Sequence, residues 1–297
     1  MLVLERGWLS SNNIVFTGGE APALIDSGYS THSTQTVGLV QSALQGQPLQ
    51  LLLNTHLHSD HCGGNAALQQ RFGGLRTLIP PGLADAVRRW DESALTYAPT
   101  GQTCDRFNID DIIVPGQSIR LGARTWEVHA APGHDPHSVI LFEPESRVLI
   151  SADALWESGF GVVFPELEGD HAFAAVGDTL DLIEALAPLL IVPGHGAVFS
   201  NVGLALERAR GRLAAFRADP ARHALHASKV LLKFKLLELQ RVLAGELVAW
   251  AAATPYFSMV HGRWFGERSL REWIEAVLAD LIRGGAAVRR GEFLANT

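Results

Sequence analysis

The 297 residues suit one large domain or two of ordinary size, and a content of 47% hydrophobic and 19% charged residues excludes a disordered, fibrous or coiled-coil chain. Two cysteines, Cys62 and Cys104, are too few for a disulfide scaffold. The net charge of −7 argues against a general polyanion binder, but residues 1–199 carry −13 and residues 200–297 carry +6, a break that marks a candidate domain boundary near residue 203.

In chain order, the opening Met1-Leu2-Val3-Leu4-Glu5-Arg6 is charged by its fifth residue and has no apolar secretory core, so a cytoplasmic protein with reduced thiols is expected. Residues 13–17 and 23–26 are apolar runs on either side of Gly18-Gly19 and predict a hairpin. Residues 33–44 carry Val37, Val40 and Leu44 at helical spacing and stop at Gly46-Gln47-Pro48. Residues 49–53 are continuously apolar, as in a strand covered on both faces. There follow a strand at 75–79, a helix at 83–90, a strand at 126–130, a hairpin from 139–142 and 148–151, a helix at 178–186 and a strand at 189–192. The uncharged stretch 185–206 is long enough to span a bilayer, but Pro188, Pro193 and Gly194 would leave its backbone unsatisfied in lipid, so no membrane span is expected. From residue 204 the texture is helical, at 204–218, 228–243 and 269–283, closed by a hairpin signal at 286–294 around Arg290-Gly291. Three helices and a hairpin follow the order of a winged-helix module or of a helical lid.

The chemistry is concentrated directly after the 49–53 strand, in Asn54-Thr55-His56-Leu57-His58-Ser59-Asp60-His61-Cys62-Gly63-Gly64, where four potential metal ligands fall within six residues. On an extended chain His56 and His58 share a face and converge on one ion. Adjacent Asp60 and His61 cannot both continue that face, so the chain turns at Ser59 and a second ion becomes feasible. An H-x-H-x-D-H pattern arises by chance about once per thousand chains of this composition. Two ions need further ligands. His134 in Ala131-Pro132-Gly133-His134-Asp135, Asp153 in Ser151-Ala152-Asp153 and His195 in Pro193-Gly194-His195-Gly196 each end an apolar strand, where open α/β sheets place their ligands. Five histidines and two aspartates suit two divalent cations, zinc first, with iron or manganese as alternatives.

These motifs, in this order over residues 10–200, resemble those of the metallo-β-lactamase superfamily, in particular its glyoxalase II-like hydrolases. The resemblance implies a mixed α/β, four-layer αβ/βα sandwich over residues 1–203 with the metals at one edge, followed by a small, mostly helical, winged-helix-like domain over 204–297. It implies that His56, His58 and His134 bind one metal, that Asp60, His61 and His195 bind a second, and that Asp153 bridges both. Asp26, in Leu24-Ile25-Asp26-Ser27-Gly28, matches an aspartate that braces the metal loop, with an ordinary turn aspartate as the alternative. His137 is expected beside the ligands rather than among them, and Cys62 as a neighbour of the metals. The other histidines, at 32, 129, 171, 223, 226 and 261, read as surface or structural. The implied activity is hydrolysis of an ester, thioester or lactone of a small molecule by a hydroxide shared between two cations, with Asp60 orienting it and taking a proton.

The loop 154–164 is aromatic and glycine-rich and can wall an apolar pocket through Trp156 and Phe160, with Tyr97 facing it; an ordinary core role is the alternative. Glyoxalase II enzymes carry a Cys-Gly-Arg-like stretch in that loop and this chain does not, which turns the expectation away from glutathione thioesters. Two further readings stay open. Lys229, Lys233 and Lys235 on one helix and Arg289-Arg290 near the hairpin offer a surface for phosphate, and some superfamily members with a similar tail are endoribonucleases, so RNA is an alternative substrate. The cluster Trp250, Tyr256, Phe257, Trp264, Phe265 and Trp273 is expected to form that module's core, a lid or a homodimer contact rather than a base-stacking platform. A metal-dependent binding module without turnover is the non-enzymatic alternative.

Overall fold

The computed structural model describes residues 1–19 and 21–297. Packing divides the chain into two units, one of Met1–Leu95 with Thr103–Ala214 and one of Thr96–Gln102 with Ala215–Thr297. The charge break near residue 203 is therefore not where packing changes. A single helix, Val202–Ala218, runs unbroken through it and buries Ala205, Ala209 and Leu213. Surface charge follows the solvent-facing residues of a helix, whereas the division follows its apolar ones.

Two sheets build the first unit. The six-stranded sheet follows chain order through Leu2–Leu4, Asn13–Phe16, Ala23–Ile25, Leu51–Leu53, Arg76–Ile79 and Asp111–Ile112. Its first three strands pair antiparallel and the remainder add in parallel. A parallel step needs a crossover, and the helix Ser33–Leu44 supplies it between Ala23–Ile25 and Leu51–Leu53. The second sheet is ordered Leu190–Pro193, Val148–Ala152, Val139–Glu143, Arg124–Ala130 and Ser118–Leu121, with its one parallel pairing at the Leu190–Pro193 edge.

The two-residue period of the strands sorts their side chains. Ile14, Phe16, Ile25 and Leu53 of the first sheet pack with Trp126, Val128, Val139, Leu141, Ile150 and Val192 of the second. The alternate residues Val15, Leu24 and Leu52 turn outward onto Val40, Leu44 and Leu68, which come from the helices Ser33–Leu44 and Asn65–Arg71. The helix Phe173–Leu186 buries Val176, Leu180 and Ile183, and Thr179 Oγ1 donates to Pro132 O at 2.8 Å, just beyond the strand Arg124–Ala130. Helices outside two facing sheets are the mixed α/β sandwich expected.

In the second unit the helices Pro220–Leu239, Ala244–Ala253, Pro255–Trp264 and Leu270–Arg283 accompany a three-stranded sheet ordered Arg241–Leu243, Phe293–Asn296, Ala287–Arg290. The expected helix at 228–243 starts earlier, because Pro220 stands in the first turn, where its missing N–H is not needed, and Asp219 caps Arg222 N. It stops at Leu239 because Gln240 adopts φ 59° and the next three residues join the sheet. Tyr256, Phe257 and Trp273 are buried, and Phe265 stacks on Trp273 with ring centroids 5.2 Å apart, so most of the aromatic cluster is interior to this unit. No helix of the described residues is long and apolar enough to cross a membrane.

Candidate metal centre

The histidine-rich loop starts where Leu51–Leu53 ends, and His56 and His61 are fully buried. The turn required by adjacent Asp60 and His61 is one turn of helix, Ser59–Cys62, entered from an extended His58 (φ −65°, ψ 147°). Three sets of potential ligand atoms converge here, each set within 4.8 Å: His56, His58 and His134; His56, His61 and Asp153; Asp60, His61 and His195. Asp153 lies among them. Its Oδ2 is 3.4 Å from His134 Nε2 and 3.8 Å from His195 Nε2, and its Oδ1 is 3.4 Å from His61 Nε2.

The rings are held from behind. His134 Nδ1–H donates to Val162 O at 2.5 Å, which leaves Nε2 facing His58 Nδ1 at 2.7 Å. His61 Nδ1–H donates to Asp26 Oδ2 at 2.8 Å, and Asp26 also accepts from Thr55 N–H and Thr55 Oγ1–H, both at 2.8 Å. Asp26 adopts φ 56° in this position, a conformation an L-residue rarely takes. Asp135 Oδ2 lies 3.8 Å from His58 Nε2, and His195 Nε2 is 3.1 Å from Asp60 Oδ2. Asp26 and Val162 O, which stand outside the ligand sets, are the kind of partner that fixes the tautomer of a metal-binding imidazole.

Whether the residues fit a cation is decided by the atoms left over. Five buried side-chain polar atoms among the described residues make no hydrogen bond, and His56 Nε2 and His61 Nε2, both in the converging sets, are two of them. A buried acceptor without a partner costs about 1–3 kcal/mol. Imidazole nitrogens gathered with two carboxylates form a borderline donor set for a divalent metal, so the residues fit.

The electrostatics agree with a ligand role for most of the set. Burial, with the neighbouring rings of His61, His58 and His134, holds His56 well below the ordinary histidine value, and burial with His134 lowers His58 to about 4. Both are therefore neutral near pH 7, the form that binds metal. Burial opposes ionisation of Asp153, but His195 and His61 outweigh it and hold its carboxyl well below the usual range. Asp60 is lowered in the same sense, burial again being outweighed by its hydrogen bond to His195. Burial also disfavours charge on His61, yet Asp153 and Asp26 raise it well above the ordinary value.

The remaining expected residues are spread more widely. His137 N–H donates to Asp135 Oδ1 at 2.7 Å, bracing Asp135, while its ring lies against Gly82. Trp156 Nε1–H donates to Asp153 Oδ1 at 3.2 Å, and buried Phe160 lines a small cleft with His134, Asp153, Val176 and Thr179. Tyr97, expected to face that loop, is instead interior to the second unit, at 1% exposure in the helix Tyr97–Thr100, which packs with Pro255–Trp264. Cys62 is buried, with its Sγ 3.9 Å from Cys104 Sγ, and the two form no disulfide. Sequence reasoning passed over Trp8, Asn12, Thr55 and Asp135. Asn12 N–H donates to Gly194 O at 2.6 Å, and its Nδ2 donates to Pro193 O at 3.0 Å and to Gly196 O at 2.8 Å, which brackets His195. The available signal was the polar run Ser10-Ser11-Asn12-Asn13, which is wholly buried.

Two facing sheets with histidine and aspartate side chains gathered at their strand ends form a candidate centre of the kind metal-dependent hydrolases use. The Metallo-beta-lactamase superfamily profile matches residues 6–195, and the chain belongs to that superfamily. It is similar to a hydroxyacylglutathione hydrolase of Anaeromyxobacter dehalogenans, 29% identical over 259 residues that cover 82% of this chain and 89% of the relative. Among solved structures, TTHA1623 in a di-iron-bound form is 25% identical with a TM-score of 0.56, covering 70% of this chain and 98% of its own. A beta-lactamase domain protein from Burkholderia ambifaria shares the fold at 20% identity and a TM-score of 0.60, covering 100% of this chain and 91% of its own.

Proposed function

We propose that this chain hydrolyses an ester, thioester or lactone of a small molecule with two divalent cations, zinc first among them. His56, His58 and His134 would hold one and Asp60, His61 and His195 the other, with Asp153 within reach of both sets. The observation that supports this most is the place of Asp153, whose carboxylate oxygens lie 3.4–3.8 Å from ring nitrogens of His134 in one set and of His61 and His195 in the other. Bound there, divalent cations supply Lewis acidity and a nucleophile at neutral pH without a serine or cysteine.

The chain's own side chains do the rest. The Asp60 side chain is 15% exposed against 4% for Asp153, so Asp60 is the carboxylate that meets solvent. Fixed by His195, and ionised because its carboxyl sits below the usual range, it orients a water and accepts its proton. Asp26 and Val162 O keep the His61 and His134 rings turned inward. Phe164 meets the His58 ring edge-on at 5.2 Å and keeps water off that side.

Acyl hydrolysis is favoured over RNA cleavage by the state of the second unit's lysines. Lys229 Nζ pairs with Asp280 at 3.1 Å, Lys233 Nζ donates to Ala286 O at 2.7 Å and Lys235 Nζ pairs with Glu238 at 2.8 Å, so each is engaged within the unit. The relative named hydroxyacylglutathione hydrolase supports a thioester among the acyl substrates. The test is turnover by metal-analysed protein of lactoylglutathione, simple thioesters and lactones, beside bis(p-nitrophenyl) phosphate and single-stranded RNA, repeated with His58→Ala and Asp153→Ala. Acyl turnover that disappears in both variants, with fewer metals bound per chain, is expected. Full turnover and metal content in Asp153→Ala, or RNA cleavage that falls steeply with salt in place of acyl turnover, would refute the reading.

A further inference from the structure

Trp8 stands between the strands Leu2–Leu4 and Asn13–Phe16, in a segment that is fastened at several points. Arg6 N–H donates to Asn12 Oδ1 at 2.9 Å and Ser10 N–H to Gly7 O at 3.0 Å, which closes the segment on itself. Ser11 N–H donates to Asp60 O at 2.9 Å, and Asn12 grips the backbone on both sides of His195 as described. The segment is thus tied to the main chain at two of the proposed ligands. At its tip Trp8 is nevertheless 53% exposed.

The indole has a definite setting. It lies parallel to the His195 ring, with centroids 5.5 Å apart and planes at 8°, and it meets Trp156 at 5.3 Å and 70°. Trp156 meets His195 edge-on, at 5.5 Å and 78°. With its Nε1–H given to Asp153, Trp156 has only hydrocarbon left to offer. Covering His195 uses one face of Trp8. Leaving a large indole half in water forgoes much of the burial free energy an aromatic side chain supplies, and a segment so firmly fastened had the means to bury it.

We propose that Trp8 and Trp156 form an aromatic subsite beside His195 that receives a flat, conjugated or aromatic group of the substrate. The inference rests on the hydrolase reading above and names its substrate class. Two indoles at 70° make a corner that a planar group fills by stacking on one ring and meeting the other edge-on. A flexible, charged group such as a glutathionyl chain gains little from such a corner.

The experiment compares wild type, Trp8→Ala and Trp8→Phe on matched thioesters, with a naphthyl group first on the acyl side and then on the thiol side, each against its acetyl or ethyl counterpart. The naphthyl-over-alkyl ratio of kcat/KM is expected to fall about tenfold in Trp8→Ala, through KM, and to recover largely in Trp8→Phe; the series that responds tells which side of the scissile bond lies in the corner. Independently of turnover, 2-naphthoate and 2-naphthol are titrated against tryptophan fluorescence in chelator-treated and metal-loaded protein, and the half-saturating concentration of the quenching, read in place of its amplitude because the variant lacks one indole, is expected to rise in Trp8→Ala. An unchanged ratio together with an unchanged half-saturating concentration would overturn the inference. So would a Trp8→Ala protein that simply binds less metal, which would make Trp8 a cover for His195, or a wild-type dimer that dissociates in Trp8→Ala. If wild type turns over no acyl substrate while the half-saturating concentration still depends on Trp8, the hydrolase reading fails and the subsite stands.

Discussion

Asp26 offers the sharpest test of how the metal loop is held. Its carboxylate accepts three hydrogen bonds of 2.8 Å, from Thr55 N–H, Thr55 Oγ1–H and His61 Nδ1–H, and all three donors belong to fully buried residues. Asp26→Ala strands them. At roughly 1–3 kcal/mol per buried unsatisfied group, with Thr55 Oγ1 able to turn to His56 Nδ1 3.2 Å away, the expected loss of stability is about 3–5 kcal/mol. Part of it comes from placing alanine at φ 56°. Asp26→Asn separates two effects. Asparagine tolerates that conformation and still accepts from Thr55 N–H, so the expected loss is only about 1–2 kcal/mol. Its amide can bond His61 Nδ1 only as a donor, however, and that moves the imidazole proton to Nε2, the atom beside Asp153. Metal affinity is therefore expected to fall about 10–100-fold in both variants, while stability falls far more in the alanine one. Urea unfolding of chelator-treated protein followed by circular dichroism gives the first quantity and chelator competition the second. An Asp26→Asn protein that binds metal as wild type does, or an Asp26→Ala protein that loses less than about 1 kcal/mol, would refute the reasoning.

Three other perturbations have defined outcomes. A Cβ on Gly194 would clash with Asp153 Oδ1 and lie 2.9 Å from His61 Cε1, so Gly194→Ala is expected to lose metal and activity together while near-native circular dichroism is retained, with metal analysis as the check. Burial, with a smaller contribution from His226, lowers His223 from 6.5 to about 3. Between those values the unfolded chain binds a proton that the folded chain does not, so stability is lost as pH falls below 6.5, by about 2 kcal/mol at pH 5. Urea unfolding at pH 7 and pH 5 should show His223→Phe gaining that amount relative to wild type, and an unchanged difference would contradict the assignment. Ser269 and Glu272 form a reciprocal capping box on Leu270–Arg283, so Ser269→Ala is expected to cost about 1 kcal/mol and to speed amide exchange in the first turn of that helix.

How far the sequence could be read depended on how far apart the partners of each feature lie along the chain. The helix at 33–44 is found with the bounds its apolar spacing predicts, and the histidine loop follows Leu51–Leu53 as expected, because period and motif are local signals. Helix starts were less legible: Pro220–Leu239 begins ahead of the expected 228 and Pro255–Trp264 was not expected, and each opens on a proline, whose missing N–H the first turn does not need. Tyr97 was out of reach for another reason, because its place follows from the packing of Tyr97–Thr100 with Pro255–Trp264, far along the chain.

The same distinction runs through the candidate site. The residue types that bind metal are written in short motifs, but their orientation is set by partners elsewhere: Asp26 for His61, Val162 O for His134, Asn12 for the backbone around His195, 181 residues away at Pro193. Asn12 and Trp8 carry no motif, and both act through the same fastened segment, one holding His195 in place and the other covering its face. A relative could keep all seven proposed ligands and still differ in substrate by changing that segment alone. Segment 5–12 and loop 154–164, rather than the histidine motif, are therefore where differences in specificity between such chains should be sought.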